Sequence, residues 1–338
     1  MINQKDNKNI AVVGAGGWGT ALAMVLSENF DSVIVWTRNE DQADEINLKR
    51  TNSKYLTVNK IPSNVVATTN PADIKDIKFL VNSVPTQYIR EYYQKYNINL
   101  KDKYIINSSK GVENNSNKTI SGIFEEVYSI DSNHFAVLTG PSHAEEVILK
   151  VPTTVVVASD STEFAKKVQE IFFTNYFRVY TSDDVIGCEI GGSLKNIIAI
   201  AAGIVDGMGL GDNTKAALLT RGLAEIARLG EAMGAKHQTF SGLSGLGDLF
   251  VTCNSKHSRN RSIGERIGNG ENVSTILANS KTIAEGVFTS KSAYNLSQKY
   301  NIEMPITTEV YKTIFENKDP RKAIDELMKR DAKNEWYS

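Results

Sequence analysis

The feature that most constrains this sequence is a glycine-rich turn at residues 14–21, which reads Gly-Ala-Gly-Gly-Trp-Gly-Thr-Ala. Gly14, Gly16 and Gly19 satisfy the G-x-G-x-x-G spacing between a short apolar run and an apolar stretch of helical character. In a strand–turn–helix unit these glycines allow a tight turn, close approach of the backbone to a pyrophosphate, and close packing of helix on strand. The turn therefore predicts a dinucleotide site, with an ordinary glycine turn as the alternative.

Short β-branched runs alternate with helix-like segments through the first half of the chain. The predicted strands are residues 9–13, 32–36, 79–84, 104–107, 135–138 and 154–158. Near-continuous apolar strands separated by helices predict a parallel sheet covered on both faces, which is the α/β, doubly wound, Rossmann-type architecture. Helical patterns dominate from Ser182 onward. We therefore expect a dinucleotide-binding domain over residues 1–184 and an all-helical, substrate-binding domain over residues 185–338.

Composition limits the partners of the chain. The 338 residues carry a formal net charge of -1 and no long basic block, which favours a small-molecule substrate over nucleic acid. The two cysteines, Cys188 and Cys253, lie far apart without a C-x-x-C motif, so we expect neither a disulfide framework nor a metal site, and a cytoplasmic location. The apolar run at residues 197–205 is too short to span a bilayer, which indicates a buried core helix and no membrane association.

Polar residues follow several predicted strands, at the sheet edge where ligands of this architecture bind. Arg38 follows the second strand, where an acidic residue usually holds the ribose of NAD. Its guanidinium would instead suit a 2'-phosphate, so NADPH is expected to be preferred or accepted, unless Arg38 is merely solvated. Lys110 follows the fourth strand and could meet a phosphate, although surface lysines are commonly solvated. Gly140 and Ser142 begin a predicted helix whose free amides suit a polar ligand.

The second half of the chain holds the candidates for acid–base chemistry. Lys195 stands at the mouth of an apolar helix, where burial would lower its pKa, unless it extends to water. Flanking glycines predict that Asp248 lies on a turn. Ser258, Arg259 and Asn260 offer a guanidinium with hydroxyl and amide donors, which suits a dianionic phosphate. The alternative for Arg259 is an ion pair with a surface acid.

Seven stretches of the chain, in order, resemble the bacterial NAD(P)-dependent glycerol-3-phosphate dehydrogenases. They are GAGGWGTALA from Gly14, SSKG from Ser108, GPSHAEEV from Gly140, GGSLKNIIAIAAGI from Gly191, SGLGDLFVTC from Ser244, SRNR from Ser258 and AEGV from Ala284. The resemblance covers residues 10 to about 330 and is far more specific than the glycine turn alone. It implies reversible hydride transfer between NAD(P)H and dihydroxyacetone phosphate, giving sn-glycerol 3-phosphate for glycerophospholipid synthesis. It also implies a cytoplasmic homodimer.

The resemblance implies a role for each matching residue. The lysine matching Lys195 is the proton acceptor for the secondary hydroxyl of the substrate, and the residues matching Asn196 and Asp248 lie beside it. Substrate contacts are implied for Lys110, Gly140, Ser142, Lys195, Asp248, Ser258, Arg259 and Asn260. Cofactor contacts are implied, beyond the three motif glycines, for Gly17, Trp18, Arg38, Lys110, Ala144, Arg259, Ile283 and Glu285. The family commonly has serine where this chain has Gly17, which leaves only backbone donation to the pyrophosphate.

Two alternatives stay open on the residues alone. Another Rossmann hydroxyacid or sugar dehydrogenase would share the fold, but it would explain the cluster at residues 258–260 less well. A non-catalytic NADPH-binding regulator would keep the cofactor domain, but it would have no need for Lys195 and Asp248.

Overall fold

The computed structural model describes residues 9–56, 60–279, 284–332 and 334–335. This part of the chain divides into two compact units. The first, which we call the sheet unit, holds the residues up to Ser109 together with Ile120–Val185. The second, the helical unit, holds Lys110–Thr119 and the residues from Ile186 onward.

This division differs from the predicted domains in the segment Lys110–Thr119, which falls within the predicted first domain. The structure groups this segment with the helical unit because of its packing. Val112 is fully buried in the apolar core of the helical unit. The backbone amide of Gly111 donates to Ser193 Oγ at 2.8 Å.

The sheet unit is built on one eight-stranded sheet with the order β3-β2-β1-β4-β5-β6-β7-β8. The strands are β1 (Asn9–Val13), β2 (Ser32–Trp36), β3 (Val65–Thr68), β4 (Phe79–Asn82), β5 (Tyr104–Asn107), β6 (Phe135–Thr139), β7 (Thr153–Ala158) and β8 (Phe177–Ser182). Neighbouring strands from β3 to β6 are parallel, and their carboxyl ends lie at one edge of the sheet. The glycine turn follows β1 at that edge.

Two features of this sheet differ from the prediction. The strands β3 and β8, at the two edges of the sheet, were not predicted. β8 alternates buried and exposed residues at its start and so lacks the continuous apolar run of a buried strand, whereas β3 is only four residues long. The expectation of a wholly parallel sheet is wrong at β7, which pairs antiparallel with β6. The link between them holds only one short helix, Ala144–Val147, whereas a parallel crossover needs a longer connection across the sheet.

Six α-helices accompany the sheet: α1 (Gly17–Leu26), α2 (Glu40–Asp44), α3 (Ile89–Lys95), α4 (Ile120–Tyr128), α5 (Ala144–Val147) and α6 (Thr162–Phe172). The first of them, α1, begins within the glycine-rich stretch, at Gly17, and buries most of its length against the apolar core. Gly16 is its N-cap residue, so the first amides of α1 face the edge where the parallel strands end.

The helical unit contains α7 (Val185–Gly207), α8 (Gly211–Ala232), α9 (His237–Phe240), α10 (Asp248–Asn254), α11 (Arg259–Gly268), α12 (Val273–Ala278), α13 (Glu285–Tyr300), α14 (Pro305–Phe315) and α15 (Pro320–Met328). Its central helix, α7, is the one helix in the described part of the chain that is long and apolar enough to cross a membrane, but 89% of its apolar window is buried inside the protein. The predicted core helix at residues 197–205 is thereby confirmed. Because α7 begins ten residues before Lys195, that lysine lies inside the helix rather than at its mouth.

Glycines bring α7 and α11 into backbone contact. A Cβ atom added at Gly264 would lie 1.9 Å from the Ile200 carbonyl oxygen, and one added at Gly203 would lie 2.0 Å from the Arg261 carbonyl oxygen. No side chain fits at such distances, so only glycine allows this approach. The contact holds the start of α11 beside the polar residues of α7.

Candidate active site

The helical unit holds a buried centre in which two lysines share one carboxylate. Lys195 on α7 is 6% exposed and Asp248 on α10 is 1% exposed. The Lys195 ammonium donates to Asp248 Oδ1 in a short contact and to Thr252 Oγ1 at 2.7 Å. Lys110 Nζ donates to the other carboxylate oxygen of Asp248 at 2.6 Å. Residues that are distant in sequence thus form one charged centre.

The local fold explains how Asp248 enters this centre. The glycines before it form a π-helical turn, Leu243–Gly247, and Asp248 is the first residue of α10 rather than part of an open turn as predicted. A Cβ atom at Gly245 would lie 2.1 Å from the Phe240 carbonyl oxygen, so this turn packs directly on the backbone of α9. Asp248 is thereby placed at the start of a helix whose buried side faces Lys195.

Thr252 is a site residue that sequence reasoning missed. It is buried one helical turn after Asp248, and its hydroxyl accepts from Lys195 and donates to the Asp248 carbonyl oxygen at 2.6 Å. Residues four apart on a helix lie on the same face. Had Asp248 been predicted to begin a helix, this spacing would have identified Thr252.

Burial and charge set the protonation of the centre. Burial lowers the pKa of Lys195 to about 7, an effect opposed by Asp248 and reinforced by Lys110. Burial would raise the pKa of Asp248, but the two lysines outweigh it and hold that pKa below its ordinary value. The alternative of a solvated Lys195 is therefore excluded. The centre combines a lysine that exchanges a proton near neutral pH with a carboxylate that stays ionised.

Asn196 and Asn260 form a second polar group beside this centre. Asn260 Nδ2 donates to Asn196 Oδ1 at 3.0 Å, and Asn260 Oδ1 accepts from the Gly286 amide at 3.0 Å. A Cβ atom at Gly286 would lie 2.6 Å from the Asn196 carbonyl oxygen, so α7, α11 and α13 meet closely here. The amide of Asn260 therefore orients that of Asn196.

The start of α11 presents the predicted phosphate residues in different ways. Ser258 is the N-cap, and its hydroxyl accepts from the Arg261 amide at 3.2 Å. Arg261 Nε donates to Asp206 Oδ2 at 2.7 Å, which ties α11 to the end of α7. Arg259 is exposed and forms no ion pair with any described residue. Its guanidinium is thus available for a ligand at the positive end of a ten-residue helix.

In the sheet unit, the glycine turn fits a dinucleotide. Gly14 has φ of +107°, and a Cβ atom there would lie 2.7 Å from the Ser83 carbonyl oxygen. A Cβ atom at Gly19 would lie 2.0 Å from the Gly14 carbonyl oxygen, whereas one at Gly16 would meet none of the described residues within 4 Å. Gly16 therefore lies beside open space, next to the free amides of α1. Two residues after Gly16 in the chain, Trp18 Nε1 is a buried donor with no hydrogen-bond partner among the described residues.

Two side chains outside the motif hold the turn in place. Gln42 Nε2 and Asn52 Nδ2 donate to the Ala15 carbonyl oxygen at 2.6 and 3.0 Å, and Asn52 Nδ2 also donates to Thr20 Oγ1 at 2.8 Å. Neither residue was predicted, because no local pattern connects them to the turn. A Cβ atom at Gly17 would make ordinary contacts of 3.6 to 3.8 Å with residues 55 and 56, so this position does not require glycine for lack of space.

The remaining predicted residues of the sheet unit lie at the strand ends. Arg38 follows β2 and is exposed, and its hydrogen bond to the Tyr96 hydroxyl raises the pKa of the guanidinium. Ser142 Oγ donates to the Gly140 carbonyl oxygen at 3.0 Å. These two residues precede α5, which begins at Ala144 and not at Gly140 as predicted.

The last two predicted cofactor residues belong to the later part of the chain. Glu285 is the first residue of α13 in the helical unit, so the predicted glycine-marked turn is the beginning of a helix. Ile283 lies outside the described residues.

Comparison with known proteins places this geometry in a family. Residues 9–165 match the family described as NAD-dependent glycerol-3-phosphate dehydrogenase N-terminus, and residues 184–325 match the corresponding C-terminus. The chain belongs to the NAD-dependent glycerol-3-phosphate dehydrogenase family. A relative from Lysinibacillus sphaericus, named glycerol-3-phosphate dehydrogenase (NAD(P)+), is 49% identical to this chain over 331 residues. The alignment covers 97% of this chain and 98% of that protein. The relative of the same name from Staphylococcus aureus (strain USA300) is 47% identical, and the alignment covers 96% of this chain and 99% of that protein.

Solved structures of glycerol-3-phosphate dehydrogenases have the same fold. That from Coxiella burnetii is 36% identical with a TM-score of 0.90, over 96% of this chain and 99% of that chain. That from Plasmodium falciparum is 26% identical with a TM-score of 0.86, over 97% of each chain. D-mandelate dehydrogenase shares the fold alone, at 11% identity and a TM-score of 0.58, with 91% of this chain and 98% of that one covered. The predicted family, the Rossmann-type fold with its helical partner, and the NAD(P)-dependent oxidoreductase class are confirmed.

Proposed function

We propose that this chain reduces dihydroxyacetone phosphate to sn-glycerol 3-phosphate, reversibly, with NADH or NADPH. The observation that carries the proposal is the buried centre of Lys195, Asp248 and Lys110, in a chain of the glycerol-3-phosphate dehydrogenase family. NAD(P)H, when bound, supplies the hydride. The chain itself must then orient the substrate and move one proton.

Lys195 is the proposed acid and base. In reduction, its ammonium donates a hydrogen bond to the carbonyl oxygen at C2 and transfers a proton as the alkoxide develops, so that one N–H bond breaks and one O–H bond forms. Asp248 stabilises the protonated lysine, and the Thr252 hydroxyl holds Nζ in place. In oxidation the neutral amine accepts the hydroxyl proton. A pKa of about 7 permits both directions near neutral pH.

The helical unit supplies the proposed phosphate contacts. Arg259, at the start of α11, is exposed and forms no ion pair within the described part of the chain, and Lys110 adds a second cation. Ser258 and Asn260 are proposed substrate contacts in addition to their roles as a helix cap and as the partner of Asn196. In the sheet unit, Gly140 and Ser142 remain predicted substrate contacts.

For the cofactor, we propose that the amides of the glycine turn and the Trp18 indole lie against the pyrophosphate region. The open space at Gly16 and the unpartnered Trp18 Nε1 support this assignment. Arg38 is the proposed contact for a 2'-phosphate, which would favour NADPH. Ala144, Arg259 and Glu285 remain predicted cofactor contacts.

We further propose that the protein acts as a cytoplasmic homodimer whose product enters glycerophospholipid synthesis. The two buried free cysteines and a formal net charge of -1 support a reducing compartment and a small-molecule substrate. Light scattering on the purified protein measures the oligomeric state directly, and a monomer at micromolar concentration would contradict the dimer.

The test of the activity is oxidation of NADH and NADPH with dihydroxyacetone phosphate, compared with dihydroxyacetone and a 2-oxo acid. Turnover that depends on the phosphate is expected. In Arg259→Ala, the KM for dihydroxyacetone phosphate should rise about tenfold or more, while the weak reaction with dihydroxyacetone changes little. Equal losses with both substrates would remove Arg259 from the phosphate site, and wild-type preference for the 2-oxo acid would overturn the proposed activity.

A further inference from the structure

The segment that carries Lys110 is attached to the helical unit by contacts that the proposed reaction does not require. Directly after Lys110, the Gly111 amide donates to the hydroxyl of Ser193 at 2.8 Å. Ser193 is 1% exposed and lies on α7, two residues before Lys195. Val112 is fully buried in the core of the helical unit. The backbone of this segment is therefore held at the two residues that follow Lys110, Gly111 and Val112.

A second serine holds the same segment from α13. Ser292 is fully buried, and its Oγ lies 3.1 Å from the Val112 carbonyl oxygen and 2.6 Å from Asn114 Oδ1. A buried serine on a helix can satisfy its hydroxyl within that helix, as Ser290 does by donating to the Val287 carbonyl oxygen at 2.8 Å. Ser292 instead contacts residues about 180 positions earlier in the chain.

We propose that Ser193 and Ser292 are positioning residues that hold Lys110 on Asp248 by fixing the backbone of residues 111–114. A lysine side chain has about four rotatable bonds and loses conformational entropy when it is held in one place. Because the backbone after Lys110 is already ordered, fewer degrees of freedom remain to be lost when its ammonium reaches Asp248. This inference rests on the proposed function of the same site.

The proposed positioning of Lys110 on Asp248 has an electrostatic effect on Lys195. The titratable groups that face Lys195 within the helical unit include Asp248, Lys110 and the thiol of Cys253, whose pKa burial raises to about 12, so that it stays neutral. Lys110 lowers the pKa of Lys195 and Asp248 raises it. If Lys110 leaves the carboxylate, Lys195 keeps the attraction of Asp248 and loses the repulsion of the second cation, so its pKa rises.

The experiment compares Ser193→Ala and Ser292→Ala with the control Ser290→Ala, which removes a buried serine hydroxyl from α13, the helix that carries Ser292. The pH midpoint of kcat for ketone reduction should move upward by ~0.5 pH units in the first two variants and stay unchanged in the control. In a Lys110→Met background, Ser193→Ala should cause no further shift. In the protein without substrate or cofactor, amide hydrogen exchange of residues 111–114 should become about tenfold faster in both test variants.

The outcomes separate this inference from the proposed function. An active wild type whose midpoint is unmoved in both serine variants would overturn the positioning role and leave the proposed function intact. A shift that persists in the Lys110→Met background would also overturn it, because the serines would then act through another group. If the wild type fails to reduce dihydroxyacetone phosphate, the proposed function fails, and unchanged hydrogen exchange would reject the positioning role independently.

Discussion

The glycine turn of the sheet unit and the lysine centre of the helical unit are built in opposite ways. The turn consists of neighbouring residues, and its chemistry comes from backbone amides, which every residue except proline carries. The lysine centre consists of side chains from residues 110, 195, 248 and 252, and its chemistry comes from their burial and mutual charge. A local backbone site is therefore sensitive to added atoms, whereas an assembled side-chain site is sensitive to removed charge.

The largest expected effect concerns the lysine centre. Lys195→Met keeps the length and apolar stem of the side chain but removes the ammonium, so kcat should fall ~10²-fold or more as proton transfer is lost. Steady-state kinetics with dihydroxyacetone phosphate measures it.

The matched control is Lys215→Met, which removes a lysine paired with Asp206 in the same unit. Near wild-type turnover in Lys195→Met, with the fold intact, would refute the role of Lys195.

The glycine turn can be tested with two alanine substitutions, one at a glycine beside open space and one at a glycine packed against the backbone. The Cβ atom of Gly16→Ala meets no described residue within 4 Å, so the melting temperature should stay unchanged while the KM for NAD(P)H rises about tenfold. Gly19→Ala would clash with the Gly14 carbonyl oxygen, so its melting temperature should also fall by roughly 5 °C or more.

Calorimetry and cofactor titration separate the two alanine effects. A Gly16→Ala protein with unchanged cofactor affinity would show that no ligand approaches that open space.

Arg38 should have a smaller effect, confined to the choice of cofactor. In Arg38→Ala, the ratio of kcat/KM for NADPH to that for NADH should fall about fivefold, because a charge-assisted bond to the 2'-phosphate is lost. Lys95→Ala removes a cation from the end of α3 in the same unit and serves as the control. An unchanged ratio in Arg38→Ala would mean that the guanidinium does not contact the 2'-phosphate.

The smallest expected effect is a reduction of about twofold in the kcat for ketone reduction at neutral pH, relative to its maximum at lower pH. Burial lowers the pKa of Lys195 to about 7, and ketone reduction needs the protonated form. The kcat for reduction should therefore be half-maximal near pH 7 and fall above it, while the kcat for oxidation rises through the same range. Asp248→Asn removes the charge that raises this pKa, so its midpoint should move to lower pH; a midpoint unmoved by this change would place the titrating group elsewhere.

Sequence patterns predicted much of the sheet unit because its signals are local. The apolar runs of β1, β2, β4, β5, β6 and β7 reflect burial on both faces of the sheet, and the glycine spacing reflects the close packing of Gly19 on Gly14. The edge strand β8 was missed because its alternating exposed residues interrupt such a run, and the edge strand β3 was missed because it is only four residues long. The direction of β7 was missed because strand direction depends on the path of the connection and not on the composition of the strand.

The helical unit shows the limit of such patterns. The motifs around Lys195, Asp248 and Arg259 resembled those of a known family, but nothing local predicted that Lys110 would join the helical unit or that Thr252 would contact Lys195. The role of Asn52, which donates to the Ala15 carbonyl oxygen in the glycine turn, could likewise not be predicted, because Asn52 lies 37 residues after Ala15 in the chain.

The amino-acid sequence was sufficient for the family, the Rossmann-type sheet, the turn that suits a dinucleotide and the residue types that the reaction needs. Each of these is encoded in neighbouring residues or in motifs whose order is preserved. Only the tertiary structure decided that one carboxylate is shared by two lysines, that burial brings the pKa of Lys195 to about 7, and that two serines hold the segment of Lys110. Those properties depend on distances and exclusion of water between segments far apart in the chain, which exist only after folding.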